Sequence, residues 1–356
     1  MGTLFHWYRI ALYLSLFTNG IATAPHSRGV SNVKPLLRNM TLCTPEICGV
    51  ACDVVSNATS AVDGNSTTPV NLPLFSKANL TDDPQQRNSN LSKRALYPLI
   101  NIHNPGNYVA QLARHITASR LWLHPYYRYQ VSAPHGTTVV GRSFSFVHSG
   151  GGTGAVGVTG LYGCTSVIIF SWSGILLINI WEVPAFANED GYEQFDPRFI
   201  QEAFAAIQRM GIDTLIAPGG TVDPEYGPEV FIITPKMTFA NRWREGESFL
   251  QYQLTIDILS DMLHQWCGGR PPQVIGYDRG NPSDLPPLGG GGETGPRPYL
   301  GVVGSAIVEV DLDGTNYTLV HDGREVGNFC LKTWRLWVGD RFITEREFYC
   351  PSMPSL

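Results

Sequence analysis

One cysteine and one asparagine raise the chemical question in this chain. The stretch GCTSVIIFSWSGILLINIWEVP runs from Gly163 to Pro184, with Cys164 at the head of an apolar run and Asn179 near the end of its return. Ser171-Trp172-Ser173-Gly174 reads as the turn of a hairpin, so facing residues sum to roughly 345. Cys164 then faces Trp181, and Ser166 faces Asn179. Residues two apart share one face of a strand, which makes Cys164 and Asn179 diagonal neighbours at about 7–8 Å between backbones. A thiol in that position can attack an acyl carbon once a neighbour takes its proton. The usual neighbour is histidine, which accepts the proton and then stands beside the thiolate as a cation. An asparagine amide does neither near neutral pH. The alternative is plain packing: a buried apolar thiol and an amide paired with backbone.

The Gly163-Cys164-Thr165 start, the apolar strand, the turn with Gly174 and the return into Trp181-Glu182-Val183-Pro184 resemble a known motif. It is the Cys-His hairpin of the cytotoxic necrotizing factor and chemotaxis deamidase group, and the likeness is greater still to a set of secreted fungal proteins sharing that hairpin. The resemblance implies a sandwich core wrapped by helices. It also implies a cysteine that attacks a glutamine carboxamide and a base histidine about fifteen residues later. Carried over position by position, Cys164 matches the nucleophile and Asn179 stands where the base should be. Three readings follow. The first, put ahead because of Asn179, is a degenerate deamidase-like domain acting as a binding protein or effector on a protein target. The second is an active cysteine amidohydrolase, a glutamine deamidase or transglutaminase with a relocated base. His148, sixteen residues before Cys164, is the nearest candidate, with His135, His124 and His321 as others. The third is a non-catalytic, wall-associated glycoprotein.

Other motifs point to no cofactor and no metal. The glycines of HSGGGTGAVGVTG lack the Lys-[ST] of a phosphate loop and run into a strand pattern. There is no G-x-S-x-G and no H-E-x-x-H, and the nine histidines are scattered without ligand spacing. Trp334 and Trp337 read as core or interface aromatics. Of seven cysteines, Cys43, Cys48 and Cys52 suit a local disulfide with one spare. Cys330 and Cys350 flank LKTWRLWVGDRFITEREFY and are expected to bridge. Cys164 lies far from the others and is expected outside any disulfide.

The elements that must position these residues come from the rest of the chain. Residues 1–24 read as a secretory signal peptide, with Arg9, an apolar run from Ile10 to Phe17 and an Ala22-Thr23-Ala24 end. Residues 25–94 are rich in Asn, Ser, Thr and Pro and read as a largely disordered propeptide ending at the dibasic Lys93-Arg94. Glycosylation sequons stand at Asn39, Asn57, Asn65, Asn79 and Asn90, with another at Asn316. Residues 95–356 are expected to form a single globular domain in a secreted, extracellular protein with no transmembrane anchor. Of the formal net charge of −5, the first 94 residues carry +3 (eight basic against five acidic) and the remainder −8 (17 against 25). So acidic a domain is not expected to bind nucleic acid.

Within that domain, Asn104 to Ser119 reads as a capped helix, Asp196-Pro197 starts a second that runs to Gly211, and a third spans about Glu247 to Trp266. Strands are expected at Val139–His148, Ala155–Thr159, Val167–Phe170, Val230–Thr234, Gln273–Tyr277, Leu300–Val310, Tyr317–Val320 and Thr333–Val338. Strands in clusters with inserted helices predict an α+β fold, a mixed β-sheet or β-sandwich core with surrounding helices.

Overall fold

The computed structural model describes residues 70–71, 96–119, 121–123, 139–146, 152–183, 185–187, 203–209, 211–237, 250–279, 304–321 and 324–351. The signal segment, Lys93-Arg94, the sequons at Asn39, Asn57, Asn65, Asn79 and Asn90, the cysteines Cys43, Cys48 and Cys52, and His124, His135 and His148 lie outside the described residues.

The core is two mixed sheets. Strands β1 (Val70–Asn71), β3 (Val139–Ser145), β5 (Thr165–Ser171), β6 (Gly174–Ile180), β7 (Glu229–Pro235) and β8 (Gln273–Tyr277) make one, in the order β1-β3-β6-β5-β7-β8. Strands β2 (Trp122–Leu123), β4 (Thr153–Thr159), β9 (Ser305–His321), β10 (Arg324–Val338) and β11 (Arg341–Pro351) make the other, in the order β11-β10-β9-β4-β2. The described helices are α1 (Pro105–Ala118), α2 (Ala205–Arg209), α3 (Ile212–Leu215) and α4 (Gln253–Cys267).

Alternation along the strands assigns each face. Ile168, Phe170, Ile175, Leu177, Phe231 and Ile233 share one core with the second sheet, and Phe170 and Phe231 both meet Trp334 of β10. Val167, Ile169, Leu176, Ile178 and Ile232 face a second core with α2, α3 and α4. On the far side of the second sheet, Tyr108 of α1 packs against Trp337. The order of layers is therefore α1, second sheet, first sheet, α2 to α4, an α+β sandwich. β5 and β6 are buried on both faces along their whole length. That is why their sequences, TSVIIFS and GILLINI, read as nearly continuous apolar runs.

The hairpin register is the expected one. Ser166 pairs with Asn179, Phe170 with Ile175 and Ser171 with Gly174, around a two-residue turn at Trp172-Ser173. The backbone N–H groups of Ser173 and Gly174 both donate to Ser171 Oγ at 3.2 Å, and Ser173 Oγ donates to the Thr221 carbonyl at 2.8 Å. A Cβ at position 174 would come within 2.2 Å of Thr221 Cγ2 and 2.3 Å of the Phe144 carbonyl oxygen, so only glycine fits.

Helix α1 starts as its sequence predicts, with Asn104 Oδ1 accepting from the Asn107 N–H at 3.0 Å and Pro105 in the first turn. The start expected for the second helix at Asp196-Pro197 lies outside the described residues; its described part is Ala205–Arg209, and Gly211, at φ 79°, separates it from α3. The third helix starts at Gln253 because Leu250 is held in a β-bridge to Lys236. The strands expected at Leu300–Val310 and Tyr317–Val320 are one strand, β9. Asp311-Leu312-Asp313-Gly314 looks like a turn, but it is taken up as an irregularity opposite Leu331–Thr333. β11 was not anticipated. It is an edge strand whose Arg341, Glu345, Arg346 and Glu347 mask its strand pattern, and charges on edges are a usual defence against further pairing. Val70–Asn71, inside the stretch read as a propeptide, pairs in parallel with Phe144–Ser145.

Cys330 and Cys350 are direct partners in the β10–β11 register, near the end of that hairpin remote from its turn. Opposed residues of an antiparallel pair are about 4.5–5.5 Å apart at Cα, inside the range a disulfide spans. Non-reducing peptide mapping is expected to recover the two in one linked peptide. Reduction is expected to lower stability by about 3 kcal/mol, the chain-entropy value for a loop of about twenty residues. Two separate peptides in the absence of reductant would contradict the bridge. Asn316, the described sequon, lies across from Cys330 on β9.

Candidate functional site

The relevant residues gather at one end of the first sheet. β5 starts there, and β6, β7 and β8 all finish there, as the pairs Thr165–Ile180, Ser166–Ile233 and Pro235–Tyr277 require. Cys164 immediately precedes β5. The chain reaches it through Gly163 at φ 153°, a conformation that suits glycine.

Cys164 and Asn179 are both 0% exposed. Alternation puts both on the face that looks toward the second sheet, with Ser166 and Trp181. Ser166 Oγ donates to Asn179 Oδ1 at 2.7 Å, which fixes the amide plane, while Asn179 Nδ2 is buried without a hydrogen-bond partner among the described residues. Cys164 and Cys267 are in no disulfide. Cys267 ends α4, and burial pushes its thiol up to about 12.

Several residues that sequence reasoning did not single out complete the arrangement. The Tyr277 hydroxyl, at the end of β8, accepts from the Gly163 N–H at 2.9 Å and donates to the Cys164 carbonyl at 2.8 Å, so it holds the peptide on both sides of the cysteine. Glu182, just beyond β6, accepts from the Tyr252 hydroxyl, from Arg279 Nη2 and, at 3.4 Å, from Gln251 Nε2. The Glu182 and Arg279 side chains are 0% and 4% exposed. Between them, Thr165 and Thr234 share a hydroxyl hydrogen bond at 3.0 Å. The signals were faint: a glutamate inside the apolar INIWEVP, and Tyr277-Asp278-Arg279 closing a strand.

Burial, then the proximity of Cys164, raises the Tyr277 hydroxyl well above the usual phenol range, with Arg279 opposing. Burial and then Glu182 likewise raise Tyr252. Burial acts to lower the Arg279 guanidinium, but Glu182 and the two tyrosines outweigh it and hold it above its ordinary value. The two phenols therefore keep their protons and act as donors, and Asn179 is an amide. This set can fix the Cys164 backbone and bury an ion pair; neither phenol nor Asn179 can take the thiol proton. His321 ends β9, paired across the sheet with Arg324. Among the described residues no group of three or more His, Cys, Asp or Glu side chains is placed to hold a metal ion, and no helix is long and apolar enough to cross a membrane. Comparisons with protein-family models, curated proteins and solved structures give no match for this chain.

Proposed function

We propose that this is a secreted, glycosylated, deamidase-like domain that has lost amide hydrolysis and acts as a binding protein or effector toward a protein target. The observation that carries the reading is the state of position 179. The side chain there is an amide whose oxygen is occupied by the Ser166 hydroxyl, diagonal to a fully buried Cys164. An amide at that position cannot take the thiol proton or stand beside the thiolate as a cation, as the histidine of the resembled hairpin would.

The test is chemical. The full chain, incubated with glutamine peptides, is expected to release no ammonia and to form no acyl-enzyme at Cys164. Ammonia release that disappears in Cys164→Ala would overturn the reading and establish an active amidohydrolase. If that activity were also lost in His148→Ala, the base would be assigned.

A further inference from the structure

We infer that the outer edge of β3 is a docking strand for an extended segment of the protein target, held closed in the full chain by β1 and opened by cleavage after Arg94. The inference rests on the binding role proposed above, names where the target lies, and takes Lys93-Arg94 as a processing site.

Sheet edges invite further pairing, and three strands at the edges of this sandwich carry guards of their own. β11 bears Arg341, Glu345, Arg346 and Glu347. β2 is only two residues long. On β8, Arg341 Nη2 donates to the Gly276 carbonyl at 2.8 Å. β3 differs: it is seven residues, VVGRSFS, with a single charge, and among the described residues the strand on its outer side is β1, which pairs Val70 with Phe144 and Asn71 with Ser145. That guard is short by composition. Pro69 and Pro73 flank it and have no N–H to donate, so the segment cannot carry the ladder far in either direction. It also belongs to the stretch read as a propeptide, and residues 72–94 lie between it and the cut. While the chain is whole, a tethered strand acts at an effective concentration on the order of millimolar; cleavage removes that advantage.

The register says what kind of strand fits. β3 begins beside the candidate site, where Val140 pairs with Asn179 of β6, so a target strand parallel to β3, as β1 is, enters from that end. A residue opposite Phe144 shares its face, which belongs to the core between the sheets, so the target needs an apolar residue in the register position that Val70 holds. Main-chain bonds along the rest of the edge add affinity that the proline-flanked β1 cannot match. A second copy of this chain is a poorer fit. Two β3 strands paired about a two-fold axis at their midpoint set Arg142 against Arg142, and like charges directly opposite destabilise a pair.

The test compares three forms: the intact chain, the chain cut after Arg94 by a dibasic-specific protease, and an uncut double variant, Val70→Pro with Asn71→Pro. The variant cannot donate to the ladder, so it opens the edge without cleavage. Protection of the Cys267 thiol from iodoacetamide shows that each form is folded, because Cys267 is buried at the end of α4. The probe is a fluorescent peptide with the sequence of residues 66–76, STTPVNLPLFS, carrying Pro69→Thr and Pro73→Thr. The cut chain and the double variant are expected to bind it about tenfold or more tightly than the intact chain, with new amide-exchange protection centred on residues 139–145. No binding by either form, equal binding by the intact chain, or protection elsewhere would overturn the inference. So would a dimer of the cut chain with β3 protected, which would make a second copy the occupant. Binding by the double variant alone would overturn opening by cleavage. Ammonia release from glutamine peptides by the unmodified chain would overturn the proposed loss of activity and leave the docking edge standing.

Discussion

Asn179→His is expected to bring the Cys164 titration down toward neutral pH and to raise its reactivity there by about 10²–10⁴, the usual worth of general-base assistance. The register places residue 179 across from Ser166 and diagonal to Cys164 on the same buried face. The Ser166 hydroxyl now donates to Asn179 Oδ1, but a hydroxyl can also accept. It can take one ring N–H of the new imidazole and leave the other nitrogen as a proton acceptor toward the thiol. The resulting imidazolium would stabilise the thiolate, which an amide cannot do. Thiolate ultraviolet absorbance followed against pH measures this without requiring a reagent to reach the buried sulfur. The larger ring enters a fully packed site and is expected to cost about 1–3 kcal/mol of stability, so folding is checked by protection of Cys267. An unchanged titration in a folded variant would show that position 179 has no electrostatic access to Cys164.

Arg335→Met is expected to destabilise the domain by about 3–5 kcal/mol, because it leaves buried carboxylate charge without its partner. Arg335 of β10 is 4% exposed and lies 3.8 Å from Glu309 Oε2 on β9. It also donates to Glu345 of β11 and, at 2.6 Å, to the Tyr97 carbonyl. Tyr108 of α1 donates to the other Glu309 oxygen, so this network pins α1 to the second sheet. Burial raises the Glu309 carboxyl above its ordinary value, and the loose pairing with Arg335 only partly opposes this. The sign follows. The folded state holds this proton more tightly than the unfolded chain, so the contribution is complete below the ordinary carboxylate range and is lost as pH rises through the raised value. Urea melts across that window are expected to show stability falling with pH in the unmodified chain relative to Glu309→Gln, in which the slope is absent. A loss below about 1 kcal/mol in Arg335→Met would mean that water reaches the network and screens it, as at a surface pair.

The local part of this protein was legible in its residues. The Ser171–Gly174 turn and the unbroken apolar runs beside it are enough to set a register, because a slip of one residue would move every side chain to the opposite face. The pairing of Ser166 with Asn179 follows. The cap at Asn104 and the β7 and β8 strands were legible for the same reason, each being encoded within a few neighbouring residues. The long β9 was misread as two strands because a turn-like Asp-Gly run can be absorbed as a bulge when a partner strand lies alongside. β11 was missed because an edge strand carries charges where a core strand carries apolar residues.

The amino-acid sequence alone thus determined that Cys164 and Asn179 share a face and that no histidine stands at position 179, since both depend on spacing within one hairpin. Only the tertiary structure decided what surrounds them. Tyr277 lies 113 residues from Cys164, and Arg279 lies 97 residues from Glu182. Their meeting depends on β8 joining β7 in parallel and on β7 joining β5, pairings between strands far apart in the chain. No local pattern encodes such pairings, because the free energy that selects them comes from burying both faces of the assembled sheet.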